Sequence, residues 1–95
     1  MPLEFSRYQG IDRDRAVCLF ALSNGKDFVQ CAASWALMDD LDGGKQIGVE
    51  TRDKQFARQR LRLAAIAERK FFSYADDERP VEILLRADDS RTFPV

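Results

Sequence analysis

This 95-residue chain predicts an α+β fold, a small, mainly antiparallel sheet with one short and one long helix packed on one face and a C-terminal strand. Three observations carry that expectation. Two strand-like runs flank Asn24-Gly25, a pair favoured at the centre of a tight hairpin because both residues tolerate positive φ. Residues 51–74 space their apolar and cationic side chains at a helical period, and residues 81–87 alternate as a half-buried strand does. The order β-β-β-α-α-β is that of a layer of helices laid on a sheet.

A short strand at residues 3–5 opens the chain, followed by a polar loop through Gly10 and a turn near Asp12 to Asp14. Residues 16–22 are apolar on both faces, which places this strand inside the sheet. Residues 27–33 form its hairpin partner. Centring a two-residue turn on Asn24 and Gly25 sets Leu22 opposite Asp27, Phe20 opposite Val29 and Cys18 opposite Cys31. Ser34 caps a helix from Trp35 to Leu41, stopped by Gly43-Gly44. Its acids Asp39, Asp40 and Asp42 lie at the C-terminal end, where the helix dipole disfavours them. Trp35, Leu37, Met38 and Leu41 must therefore hold it to the core. Residues 45–50 read as a linker, and Thr51 or Asp53 caps the long helix. At about 100° per residue, Phe56, Leu63, Ala64, Ala67 and Phe71 gather on one side of that helix, and Lys54, Arg58, Arg62 and Arg69 on the other. Past Tyr74 an acidic loop leads to Pro80, which can start the last strand.

Ninety-five residues make one domain, spanning 1–95, whose folding buries roughly 65% of the unfolded chain's surface. No apolar run approaches a membrane span, and the N-terminus lacks the basic start and apolar stretch of a secretion signal; a cytoplasmic location is expected. The net charge of −1 hides a segregation. Residues 52–72 hold seven Lys/Arg against two Asp/Glu, and residues 73–90 hold six Asp/Glu against two Arg. The overall balance argues against a protein devoted to coating nucleic acid.

With no His, the chain lacks the commonest general base and the commonest metal ligand. No phosphate-cradling loop, nucleophile elbow or triad pattern occurs, so no catalytic residue, cofactor or metal is expected. The acidic run Asp39 to Gly44 does not follow the ligand spacing of a calcium loop. Cys18 and Cys31, opposite each other in the register above, are a candidate redox pair, against the plainer reading of two reduced core thiols. Arg60 falls at the middle of the long helix's apolar stripe. It must snorkel outward or pair with a carboxylate, and beside a cavity it is a candidate anion contact.

The face Lys54, Arg58, Arg62 and Arg69 is the candidate working surface, suited to an acidic patch on a partner protein. Nucleic-acid phosphate is the alternative occupant, and a solvated surface face is the plain one. Leu61, Phe72 and Phe93, if exposed together, would suggest a homodimer.

Val17-Cys18, Ala21-Leu22, Asn24-Gly25, Cys31-Ala32, Ser34 and Ala36-Leu37 resemble the pattern of a small bacterial family, domain of unknown function 1488. The resemblance runs through the long helix and is closest at the hairpin and the first helix. After Tyr74 the chain departs from it, with residues 81–87 extending a usually shorter ending. A compact bacterial α+β protein is implied, with no catalytic or ligand residue.

Overall fold

The computed structural model describes residues 2–44 and 47–95. Four strands, β1 (Glu4–Asp12), β2 (Val17–Ser23), β3 (Phe28–Ser34) and β4 (Glu82–Leu85), form one sheet in the order β1-β2-β3-β4. The first three are antiparallel and β4 runs parallel to β3. Helices α1 (Trp35–Leu41), α2 (Arg52–Ser73) and the short α3 (Asp89–Thr92) accompany the sheet, with 3-10 turns at Val49–Thr51 and Asp76–Glu78. The expected α+β architecture is present, and β2 is interior.

The core lies between the sheet and α2. Phe20 and Phe56 are fully buried at its centre, with Leu22, Leu37, Met38, Leu63, Ile66, Ile83 and Leu85 around them. Each such side chain taken out of water contributes roughly 1.5–3 kcal/mol. Tyr8 stacks on Phe56 at 4.5 Å between ring centroids, and Phe20 meets Phe56 at 5.3 Å. These rings fix where α2 crosses the first two strands.

Three expectations about the strands need correction. β1 is far longer than residues 3–5 and takes in the segment read as a loop. Irregularities between Phe5 and Arg7 and between Tyr8 and Gly10 insert extra residues, so Phe5, Tyr8 and Ile11, three apart, all pack on the core. A bulged strand abandons period two, and a search for alternation misses it.

The hairpin register is also displaced. Phe20 faces Cys31, Cys18 faces Ala33, and the ladder closes at Ser23 and Phe28 around a four-residue loop. The Asn24 side chain makes that loop: its Oδ1 accepts from Lys26 N at 2.9 Å and Asp27 N at 2.7 Å. Gly25 supplies a φ of 92°. An Asx turn of this kind outcompetes the two-residue turn.

The last strand is shorter than residues 81–87. Ile83 and Leu85 enter the core, while Val81 precedes the strand and is exposed.

The helices follow their local signals more closely. Ser34 Oγ accepts from Leu37 N at 3.1 Å, capping α1 as expected. Gly43 and Gly44 take φ of 89° and 90°, and Gly44 N reaches Asp39 O at 2.7 Å to close it. Of the expected linker, residues 45 and 46 lie outside the described residues. Thr51 stands at the N-cap of α2, but its hydroxyl donates to Gly48 O at 2.8 Å instead of accepting from the helix.

Candidate partner-binding surface

One side of α2 is committed to the core, and the buried arc is wider than its apolar residues alone suggest. Arg52, Gln55 and Gln59 are buried with Phe56, Leu63, Ala64, Ile66 and Ala67. The cause is α1, whose C-terminal acids lie against this flank. The Arg52 guanidinium grips Asp39 with both terminal nitrogens, Nη2 to Oδ2 at 3.2 Å. It also donates to Gln55 Oε1 at 2.8 Å and lies 4.9 Å from the centre of the Trp35 ring. Gln55 Nε2 donates to Asp42 Oδ2 at 3.0 Å, and Gln59 Nε2 to Met38 O at 3.0 Å and Asp42 Oδ1 at 2.8 Å. The buried amides and the guanidinium thus answer carboxylates left at the wrong end of the α1 dipole.

These three polar residues were missed in the sequence, where they separate the apolar positions of α2. The signal that could have found them was the acid cluster itself, which demands donors from a neighbouring element. Burial alone would raise the Asp42 carboxyl. The Gln55 and Gln59 amides and the Arg58 guanidinium outweigh it, leaving the group below its ordinary range.

The outer side of α2 presents Lys54, Arg58, Arg62 and Arg69, all exposed. Two of them are tethered. Arg58 Nη2 donates to Asp42 Oδ2, with its side chain still 60% exposed, and Arg69 Nη1 donates to Pro94 O. Lys54 and Arg62 make no ion pair or hydrogen bond through their side chains among the described residues, so the stripe keeps an accessible positive charge. Leu61 is 70% exposed and Phe72 50% exposed on the same side, whereas Phe93 packs against the core.

Arg60 is not buried in the stripe, as its helical angle had suggested. It is exposed, and its guanidinium makes only a long contact, 3.5 Å, to Ala57 O. Of the two outcomes open to a charge at that angle, snorkelling is the one adopted. Among the described residues the buried cation is Arg52 instead. Arg60 does border a groove of about 310 Å³, formed with Phe5, Tyr8, Asp53, Phe56 and Ala57. There the Tyr8 hydroxyl donates to Asp53 Oδ1, and burial first, then that hydrogen bond, pushes the phenol up.

Cys18 and Cys31 are both buried free thiols in the core. They sit on neighbouring strands but not across from one another, because Cys31 pairs with Phe20 and Cys18 with Ala33. Burial raises both, Cys31 to about 12. Among the described residues no group of three or more His, Cys, Asp or Glu could hold a metal ion, and no helix is long and apolar enough to cross a membrane.

This arrangement defines a class: a small α+β domain whose four-stranded sheet carries one long helix across a single face. A crystal structure of a protein of unknown function from the DUF1488 family of Shewanella loihica PV-4 has this fold. It superposes with a TM-score of 0.67 at 14% sequence identity, over 88% of this chain and 91% of that one. The fold implied by the hairpin residues is therefore the fold of a protein of that family. No protein-family model and no curated protein matches the chain.

Proposed function

We infer that this protein is a non-catalytic binding or adaptor module, working in a bacterial cytoplasm, that offers the outer face of α2 to an acidic protein surface. What supports this reading is one feature of that face. Lys54 and Arg62 have no ionic partner among the described residues, and Leu61 and Phe72 stand exposed beside them. Protein interfaces combine such apolar anchors with a charged rim. A phosphate-binding face needs mainly cations. The chemistry of the chain agrees: it has no His, and its two thiols are buried and held protonated.

The test is affinity capture from the native cell. A partner should be retained by the natural protein and lost with the Lys54→Glu/Arg62→Glu double variant, and binding should be reproduced with the purified partner. Capture unchanged by the double variant overturns the reading. Nucleic acid is the alternative occupant, tested by a mobility shift in a salt series. Phosphate contact would weaken by nearly one log unit of affinity per log unit of salt for each phosphate neutralised.

A further inference from the structure

Within the cationic outer side of α2, with Arg62 and Arg69 to one side of it, runs a seam that can meet a copy of itself. Lys54, Arg58, Leu61, Ala65, Glu68 and Phe72 follow one another at intervals of four, three, four, three and four along the helix, the spacing of a helix-to-helix seam. The set is symmetric in position about Leu63, with Arg58 and Glu68 opposite in charge across it. Turning a second α2 antiparallel about that centre brings Arg58 to Glu68, Leu61 to Ala65, and Lys54 to the Phe72 ring, which already has the Arg79 guanidinium 5.4 Å from its centre. A two-fold axis makes each contact twice.

The shape agrees with the charge. Leu61 protrudes, 70% exposed. It forms one wall of an open hollow of about 400 Å³ between α2 and the start of β1, whose other walls are Ala64, Ala65, Glu68, Leu3, Glu4 and Phe5. A protruding leucine next to a hollow lined by two alanines gives each copy a knob and the space to receive one. Glu68 Oε2 accepts from Leu3 N at 2.7 Å, which leaves Oε1 for a guanidinium, and Arg58 reaches its own Asp42 through Nη2, which leaves Nη1 to make that contact.

The ends of the helix agree as well. Lys54 lies in its first turn, where the macrodipole disfavours cations. The exposed turn Asp76–Glu78, three acids in a row, follows its C-terminus. Antiparallel packing carries the acidic turn of each copy toward the cationic end of the other.

We propose that the acidic surface met by the stripe is a second copy of this chain, docked α2 against α2 in a two-fold antiparallel pair. This rests on the reading of the stripe as a protein-binding face and names its partner. A single helix pair is small beside the roughly 800 Å² per partner of a standard interface, which places the pairing among weak, reversible associations.

Sedimentation velocity on the purified chain across the micromolar range tests it. The natural protein should pass from monomer to dimer with concentration. Leu61→Asp and Arg58→Glu should each weaken the dimer by about tenfold or more, and Arg58→Glu with Glu68→Arg should recover it. Leu61 is exposed, so its substitution leaves the core intact, and circular dichroism checks that each variant is folded. A monomer at every concentration overturns the proposal. So does a dimer indifferent to Leu61→Asp, or a charge swap that fails to rescue. The two readings fail separately. A monomer that still captures an acidic protein through Lys54 and Arg62 loses only the self-pairing. A dimer with no stripe-dependent capture of any other protein keeps the pairing and makes it the whole use of the face.

Discussion

Arg52 and Asp39 form a two-pronged ion pair across the junction of α1 and α2, with side chains only 6% and 14% exposed. Trp35 covers one face of the guanidinium and Gln55 accepts from its edge. Breaking a pair so far out of water strands the remaining charge, at a cost of about 3–5 kcal/mol. Arg52→Met should lower unfolding stability by about 3 kcal/mol, since Gln55 still donates to Asp39 Oδ1 at 3.2 Å. Urea denaturation measures it, and a loss below about 1 kcal/mol would mean that the pair contributes little.

A second buried pair ties the end of the chain to α2. Lys70 Nζ donates to Asp89 Oδ2 at 2.8 Å and to Leu84 O at 2.7 Å, while the same Asp89 oxygen accepts from Arg86 N at 2.7 Å. Asp89→Ala removes the partner of both donors at once and should destabilise by about 2–4 kcal/mol. Hydrogen exchange should show β4 losing protection before β2 and β3. Uniform loss across all the strands would show that the latch is not local.

Acid should weaken the α1–α2 junction through Asp42. Its carboxyl is held below the ordinary value of 3.8 in the folded protein. The stabilisation is therefore complete above that value and is lost as pH falls through the lowered one. Asp42→Asn should flatten the acid limb of a stability-against-pH curve; an unchanged limb would remove Asp42 as its source.

Alkali should act through Cys31. Burial first, then the charge of Glu82, raises its thiol from 9.0 to about 12. The unfolded chain releases this proton near 9.0 and the folded one near 12, so stability falls as pH rises between those values. Cys31→Ala should reduce that slope in urea melts. Both thiols of the folded protein should also react slowly with a thiol reagent at neutral pH, then rapidly in denaturant; fast reaction of either in the folded state would contradict its burial.

The parts of this protein that its sequence determined are those decided by near neighbours. Ser34 caps α1 because the amide it satisfies is three residues away, Gly43 and Gly44 end α1 because they alone take the required φ freely, and the period of α2 separates its inner rings from its outer cations. The hairpin's location was legible for the same reason, at Asn24-Gly25. So was the stripe Lys54, Arg58, Arg62 and Arg69, which needs only a helix with a core on its other side.

Tertiary structure decided what depends on partners distant along the chain. The bulges of β1 place Phe5, Tyr8 and Ile11 against α2, whose Phe56 lies more than forty residues away. Which arginine is buried was settled by the acids of α1, whose position against α2 no local pattern encodes: Arg52 meets Asp39, while Arg60 finds an open groove. The parallel placement of β4 beside β3 likewise comes from packing Ile83 and Leu85 into a core built by other segments. Local propensity and capping act over a few residues, whereas the burial of a charge and the register of a strand are set by whatever the folded chain brings alongside.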